Sequence, residues 1–237
     1  MGYLGRRIGL SQGKAGPSSP TGANGAAGGG ILDLFASGYF QREGSIYNAP
    51  GIIPQGLTAS GGIISDYTTS PGDIFRSHVF TSSGTFNVTA PGDFGDTVDY
   101  LVVAGGGGGA TGGGGGGGGA GGLRTSLPGV QDAGGSPLTG SAYPVAVDGG
   151  PGSNGNYPVT VGAGGAGSNP GSDTIGTKGG QSIFGNVTSE GGGRGKSTPT
   201  SGDPSAGGSG GGGYGSSTRQ PGGSGNSPPE SPPQGNP

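Results

Sequence analysis

The chain has 237 residues, of which 68 are glycine and 20 are proline, and its formal net charge is −3. Leu, Ile, Val and Phe together supply only 37 residues, which is below the share of about 20% that marks an ordinary globular chain. Because ordering a backbone residue costs roughly 1–2 kcal/mol, this composition argues against an enzyme with a conventional core. It also predicts that contacts with partners help to order the chain.

Three kinds of site or partner find no support in the residues. The chain has no cysteine, so disulfides and thiolate metal sites are excluded. The near-balance of 10 basic and 13 acidic residues gives no basic footprint for nucleic acid. No apolar run approaches the ~20 residues of a transmembrane helix, so membrane insertion is not expected.

Composition divides the chain into four predicted parts. They are an extended anchoring arm (1–30), a β-rich attachment region (31–77), a glycine-rich β domain (78–190) and a Gly/Ser/Pro-rich tail (191–237), for which continuation in a longer protein stays open. The arm carries three cations, Arg6, Arg7 and Lys14, and a disordered tail is the alternative to an arm. In the attachment region, short apolar pieces alternate with Pro and Gly turn signals, which is typical of β-structure.

The clearest strand signals lie between residues 78 and 104. A hairpin is predicted from His78–Thr81 and Thr85–Thr89, with Phe86 and Val88 on one face of its second strand. The run Val98–Ala104 is almost entirely apolar. We therefore expect it to form a central strand that is covered on both faces.

Two long glycine runs follow, Gly105–Gly109 and Gly112–Gly119. Neither can form a stable α-helix, because each glycine costs about 1 kcal/mol against alanine. The remaining possibilities are a loose coil or extended polyglycine-II-type helices with three residues per turn. Helices of the second kind have no internal hydrogen bonds, so their amides must pair with neighbouring segments.

A short repeat and a last strand signal come next. Tyr143–Val147 recurs as Tyr157–Val161, and each copy places its tyrosine and two valines on one face. The proline in each copy favours an edge strand or a strand start. Gln181–Thr188 is predicted to form a strand or a hairpin.

Two motifs imitate nucleotide-binding sequences. Gly105, Gly107 and Ala110 match a G-x-G-x-x-A fingerprint after a predicted strand, but the helix that must follow would consist of Gly112–Gly119. Gly195-Lys196-Ser197 is the nearest approach to a phosphate loop, and no strand leads into it. No cofactor is expected.

Catalytic and metal-binding constellations are equally sparse. His78 is the only histidine, and because no nucleophile-elbow motif accompanies it, an ordinary role in a strand is predicted and an enzyme is not expected. Asp93, Asp96 and Asp99 are a weak candidate for a calcium site, with solvated turn acids as the alternative, since their spacing is not that of a calcium loop.

Tyrosines on Gly/Ser-rich loops can form a recognition surface. Tyr214 stands in the sequence Gly-Tyr-Gly-Ser-Ser and is the best such candidate. The alternative is a tyrosine that fills a gap between glycine-rich layers.

The stretch His78–Phe86, the strand Val98–Ala104 with its glycines, Tyr157–Gly165 and Gln181–Gly185 occur in one order. This ordered set, over about residues 75–215, resembles the glycine-rich domain of virion proteins in tailed phages that infect marine cyanobacteria. The N-terminal sequence Met1–Arg7 is similar to those proteins as well. The resemblance implies a virion location, often as a tail fibre or adhesin, and supplies no catalytic residues.

The sequence therefore predicts a mainly β protein: a small antiparallel β-sandwich-like platform with an extended N-terminal arm and glycine-rich loops or polyglycine-II-type segments. We expect a tail-fibre or baseplate adhesin that is anchored to other virion proteins through Arg6, Arg7 and Lys14 and touches a host-surface glycan or protein. A capsid-decorating or head-fibre protein is the first alternative. A secreted Gly-rich matrix or ice-binding protein is the second, although such proteins need strict short repeats. A homotrimer is favoured, because three chains can pair glycine backbones around one axis.

Overall fold

The computed structural model describes residues 56–69, 74–131, 139–169, 175–197, 204–215 and 220–236. Within these ranges it contains no helix, and all pairs between its strands are antiparallel. The strands are β1 (Thr58–Ser60), β2 (Ile63–Thr68), β3 (Ile74–Val79), β4 (Gly84–Ala90), β5 (Thr97–Val98), β6 (Leu101–Val103), β7 (Leu123–Thr125), β8 (Tyr143–Pro144), β9 (Asn156–Thr160), β10 (Ser182–Phe184) and β11 (Val187–Ser189). The prediction of a mainly β, antiparallel fold is confirmed.

The largest sheet has five strands in the order β1-β4-β9-β10-β11. Its second strand, β4, alternates as expected, because Phe86 and Val88 are buried while the side chains between and beside them are more exposed. β10 and β11 form the predicted hairpin, joined by Gly185 and Asn186. Gly185 has a φ of 56°, a left-handed conformation that a two-residue hairpin turn requires.

An aromatic cluster fills the core beneath this sheet. The edge of the Phe184 ring meets Phe86 at a centroid distance of 5.8 Å, and Tyr143 lies 5.0 Å from Phe184 and 5.9 Å from Tyr157. The buried Tyr157 hydroxyl accepts a hydrogen bond from the Ala146 backbone amide at 2.7 Å. The two copies of the Tyr-Pro-Val repeat therefore supply tyrosines to one core.

The predicted hairpin between residues 78 and 89 is wrong. β3 pairs with β2, whereas β4 pairs with β1 and β9. Gly61 and Gly62 adopt positive φ values of 107° and 67° and turn the chain from β1 into β2. Because β1 then occupies the edge of β4 that the hairpin needed, β3 belongs to a separate two-stranded sheet.

The predicted central strand at 98–104 is also wrong. The chain divides there into β5 and β6, which belong to different two-stranded sheets. Leu101 and Val103 are more than half exposed, and only Val102 of β6 is buried. Since Leu101 and Val103 lie on the same face of β6, that face of this apolar strand stays uncovered.

The prediction that the proline of each repeat copy lies in an edge strand or at a strand start holds for Pro144 and fails for Pro158. Pro144 lies in the two-stranded sheet of β5 and β8, but Pro158 lies in β9, between β4 and β10. The Pro158 carbonyl accepts from the Gly185 amide at 3.1 Å, just beyond the last register pair between Phe184 and Val159. A central strand tolerates this proline because its missing N–H falls where the ladder ends.

Six glycine-rich segments extend from the strands and carry most of the remaining backbone pairing. They are segment I (residues 104–110), segment II (114–122), segment III (162–168), segment IV (175–180), segment V (190–197) and segment VI (209–215). Their amides and carbonyls bond from one segment to another rather than within a segment. The loose-coil alternative is therefore excluded for these residues.

The bonds of segment I repeat every three residues. Its amides pair with segment II carbonyls at 2.8–3.0 Å: Ala104 with Gly122, Gly107 with Gly119 and Ala110 with Gly116. One residue further along, Gly105 and Gly108 donate to Gly180 and Thr177 of segment IV. The carbonyls of Gly106 and Gly109 accept from Gly165 and Ser168 of segment III. A period of three with partners on several sides is the geometry of polyglycine II.

Segment V is the centre of this arrangement. It donates to segment I through Gly192 and Gly195 and to segment VI through Gly193 and Lys196. It also accepts from segment II, and nearly all of its residues are buried. The first part of the predicted Gly/Ser/Pro-rich tail (191–237) therefore lies at the middle of the packed segments. The pairing also crosses the boundaries predicted at 77/78 and 190/191.

Glycine is required because the backbones approach without room for a side chain. A Cβ on Gly116 would overlap the carbonyl oxygen of Gly212, and one on Gly108 would overlap that of Ala166. A Cβ on Gly117 would meet nothing within 4 Å. The outer positions of the segments are thus open, while the inner positions exclude every side chain.

This contrast gives a direct test with adjacent residues. Gly116→Ala is expected to lower the free energy of unfolding by about 1–3 kcal/mol, because the methyl group forces two backbones apart. Gly117→Ala is expected to be neutral or slightly stabilising, since alanine restricts the unfolded chain. Denaturant unfolding of both variants measures the difference, and equal effects would contradict the packing described here.

Candidate recognition surface

The polyglycine segments have a strand end and a loop end. β6 runs into segment I, β9 into segment III and β11 into segment V, while segments II and IV return into β7 and β10. Segment VI runs parallel to segment V, as the pairs Gly193–Ser209 and Lys196–Gly212 show. Segments I, III, V and VI therefore all end at the same side, away from the strands. We call this side the loop end.

Hydrogen bonds from side chains and from the backbone hold the described part of the loop end together. The Ser168 hydroxyl donates to the Thr111 hydroxyl at 3.1 Å, and the Thr111 hydroxyl donates to the Asn169 carbonyl at 3.0 Å. The Gly215 amide donates to the Gly114 carbonyl at 2.8 Å. The ends of segments III and VI are thus linked to the residues that join segments I and II.

Polar residues dominate three of the four sequences that follow the segments at this end, and the first of the four has one threonine among glycines. The four sequences are Thr-Gly-Gly-Gly at 111–114, Asn-Pro-Gly-Ser-Asp-Thr at 169–174, Thr-Pro-Thr-Ser-Gly-Asp at 198–203 and Ser-Ser-Thr-Arg at 216–219. Small hydroxyl, amide and carboxylate side chains of this kind give adaptable hydrogen bonding in recognition loops. Most residues of the last three connections lie outside the described residues.

Tyr214 lies at the loop end, as a recognition residue requires. It is the next-to-last residue of segment VI rather than part of a loop, and its carbonyl accepts from the Gln220 amide at 3.1 Å. Its side chain is half-buried beside Gly114 of segment II. Both predicted roles, gap filling and surface recognition, are compatible with this position.

The other predicted site residues are not brought together. Among the described residues, no group of three or more His, Cys, Asp and Glu side chains is placed to hold a metal ion, so Asp93, Asp96 and Asp99 do not converge. Asp99 accepts from the Ser126 hydroxyl at 2.9 Å. The predicted anchoring residues Arg6, Arg7 and Lys14 lie outside the described residues.

The histidine and the residues of the two nucleotide-binding imitations take part in the packing of the fold. The His78 Nδ1 lies 2.7 Å from the Gly61 carbonyl oxygen, and its ring meets the Phe86 ring edge-on at 5.1 Å. Lys196 is buried in segment V, and its backbone pairs with segments II and VI. Gly107 and its neighbours form segment I instead of a strand-to-helix turn, so the G-x-G-x-x-A match does not have the geometry that its motif needs.

A polar cluster around Glu190 escaped the sequence analysis. Its carboxylate accepts from the Lys178 ammonium at 2.5 Å and from the Gln181 amide at 2.6 Å. Its backbone amide donates to the Gln234 side-chain oxygen at 2.8 Å. Gln234 is buried and its carbonyl accepts from the Leu123 amide. These contacts of Gln234 fasten the C-terminal Pro-rich stretch to β7 and segment V.

The environment of Glu190 shifts its titration. Burial acts to raise the pKa of the Glu190 carboxyl, but hydrogen bonds from Lys178 and Gln181 and the Lys178 charge together outweigh it. The net result is a pKa below the ordinary value of 4.5. No sequence signal could have identified this cluster, because its members become neighbours only when segments IV and V pack.

Comparison with known proteins places this architecture in a family. The glycine-rich domain family matches residues 81–236, and the chain belongs to it. No curated protein and no solved structure matches the chain. The described residues include no helix that is long and apolar enough to cross a membrane.

The Glu190 cluster makes a prediction about acid stability. Because its pKa is lowered in the folded state, the carboxylate stabilises the fold fully above pH ~5, and this contribution is lost as the pH falls through the lowered pKa. Glu190→Gln should lower the free energy of unfolding at pH 7 by about 1–2 kcal/mol and flatten its decline below pH 5. Denaturant unfolding as a function of pH measures both effects.

Asp66→Asn provides the matched control. Asp66 also has a lowered pKa, caused first by its hydrogen bond from Arg76, but this ion pair is exposed. Exposed pairs are screened by solvent, so little change in stability is expected. An equal loss of unfolding free energy in Glu190→Gln and Asp66→Asn would contradict the role assigned to Glu190.

Proposed function

We propose that this chain is a virion structural protein of a tailed phage, located at the tail fibre or baseplate, where its loop end contacts the host surface. The observation that carries the proposal is that segments I, III, V and VI end at the same side of the hydrogen-bonded polyglycine core, each followed in the sequence by a connection that contains polar residues. The resemblance to virion proteins of cyanobacterial phages, stated above, supplies the setting. Membership of the glycine-rich domain family is compatible with it.

The architecture suits the display of variable sequence. The connections at 111–114 and 169–174 each join two segments whose own positions are fixed by backbone hydrogen bonds, and those at 198–203 and 216–219 join segments V and VI to return stretches that also pair through the backbone, at Ser205 and Gly223. Changes in a connection therefore leave the inner glycines and the β-strands in place. A receptor-binding surface needs this separation, because its specificity must change without loss of the fold.

The predicted mode of contact follows from the residues. Ser, Thr, Asn and Asp of the connections would hydrogen-bond to a glycan or to a polar protein surface. Tyr214 would contribute one amphipathic ring beside them. Attachment to the particle through Arg6, Arg7 and Lys14 remains part of the proposal, as does assembly of several copies. Because the glycine backbones pair within one chain, they no longer provide a reason to prefer a trimer.

Location is tested by immunogold labelling of phage particles from lysates that contain the protein. Most of residues 191–197, in segment V, are buried, so a peptide from this stretch would make a poor epitope. The antibody is therefore raised against the folded chain. Gold at the tail or baseplate is the expected result. Gold over the head would favour the capsid-decorating alternative, and particles without gold would contradict a virion role.

Recognition is tested by competition with phage for adsorption to host cells. The purified chain should reduce adsorption, and Tyr214→Ser should require about tenfold more protein for the same effect, the loss typical of one interfacial tyrosine. Phe94→Ser is the control, since Phe94 is an exposed aromatic residue in the turn between β4 and β5. Equal competition by both variants would contradict recognition at the loop end.

A further inference from the structure

The turn between segments I and II lies at the centre of the loop end. Segment III pairs with segment I through the bond from the Ser168 amide to the Gly109 carbonyl, and segment VI pairs with segment II through the bond from the Gly212 amide to the Gly117 carbonyl. Segments I and II pair with each other. The lateral order is therefore III, I, II, VI, and the turn at 111–114 lies between the ends of segments III and VI.

Glycine leaves the middle of this turn without side chains. Gly112 has a φ of 128°, a conformation that favours glycine, and its carbonyl accepts from the Gly115 amide at 3.2 Å. Gly112 and Gly113 are both exposed, and a Cβ on Gly113 would meet nothing within 4 Å. The two residues present bare backbone to the solvent, and we call them the glycine floor.

Side chains border the glycine floor on both sides. On the side of segment III, the Thr111 hydroxyl is bonded to the Ser168 hydroxyl and to the carbonyl of the exposed Asn169. On the side of segment VI, a Cβ on Gly114 would lie 3.0 Å from the Tyr214 ring, so this ring stands next to the turn. The floor therefore lies between hydroxyl and amide side chains on one side and an aromatic ring on the other.

The chemistry of the floor and its borders restricts the class of ligand. None of the residues 111–114, 168–169 and 214–215 is charged, and none has a large aliphatic side chain. A protein partner usually buries apolar or arginine anchors at the centre of its contact, and an anionic ligand is usually held by arginine or lysine. A neutral sugar instead offers hydroxyl groups to Ser, Thr, Asn and the backbone, and its apolar ring face can pack on a tyrosine.

We propose that the glycine floor binds a neutral glycan of the host surface, which lies between Asn169 and Tyr214 with one sugar packed on the tyrosine ring. The sugar approaches the backbone closely because Gly112 and Gly113 place no side chain in its way. Thr111 is a positioning residue, since its hydrogen bonds hold the border at Asn169 in place. This inference rests on the proposed contact between the loop end and the host surface, and it narrows that contact to one site and one class of ligand.

Two glycine variants of segment II and its turn test the site. Gly113→Leu places a side chain over the glycine floor, whereas Gly117→Leu places the same side chain further from the loop end. A Cβ meets nothing within 4 Å at either position, so both variants should unfold in denaturant as the wild type does. Binding of the fluorescently labelled chain to host cells should weaken at least tenfold for Gly113→Leu and stay within about twofold of the wild type for Gly117→Leu.

The outcomes separate this inference from the proposed function. A wild type that binds host cells, together with Gly113→Leu binding equally well, would overturn the glycine floor as the site and leave the host-surface function standing. A wild type that does not bind host cells would contradict the proposed function and this inference with it. Equal weakening by Gly113→Leu and Gly117→Leu would also overturn the site.

A variant at the border tests the site without adding bulk. Asn169→Ala removes an exposed side chain but keeps the backbone carbonyl that accepts from Thr111. Binding to host cells should weaken about fivefold, the effect of one lost hydrogen bond. Unchanged binding would show that the ligand does not reach this border and would contradict the proposed position of the glycan.

Treatment of the host cells tests the class of ligand. Periodate cleaves the vicinal diols of sugars and should abolish binding of the wild-type chain. Protease treatment should leave binding unchanged. Loss of binding after protease treatment, with full binding after periodate, would identify a protein receptor and overturn the glycan proposal.

Discussion

Backbone hydrogen bonds between glycine-rich segments are the interaction on which this structure depends. They require the backbones to approach more closely than any Cβ allows, as the position of Gly116 against Gly212 illustrates. Glycine loses more conformational freedom on folding than other residues, so an isolated segment would not stay extended. Burial of segment V among several other segments offsets that cost through pairing on several sides.

The β-strands and the polyglycine segments are one continuous construction. Each of β6, β9 and β11 passes directly into a segment, so the aromatic core around Phe86 and Phe184 sets the starting positions of the polyglycine packing. The Glu190 and Gln234 contacts close the same junction from the C-terminal side. The small number of large apolar residues is therefore sufficient to order the chain, because they form the core at the strand end and backbone hydrogen bonds hold the polyglycine segments.

Local patterns predicted local structure well. Alternation in β4, the β10–β11 hairpin and the three-residue period of the glycine runs all follow from side-chain spacing or from the absence of side chains. The pairing of strands could not be predicted from these local patterns. The sequences of β3 and β4 are typical of a hairpin, but Gly61 and Gly62 turn the chain so that β1 occupies the edge of β4 that β3 would need. Exposure of Leu101 and the burial of Lys196 likewise depend on long-range packing. The loop end could not be predicted, since it arises from the relative directions of segments far apart in sequence.

Residue-resolved amide hydrogen exchange tests the central claim most directly. In segment I the amides of Gly105, Gly107 and Gly108 donate to other segments, whereas those of Gly106 and Gly109 donate to no group among the described residues. The account predicts slow exchange at the first three and fast exchange at the last two, a pattern with a period of three. Uniformly fast exchange across segments I and II would show that the glycine runs are not held by backbone pairing and would contradict the account.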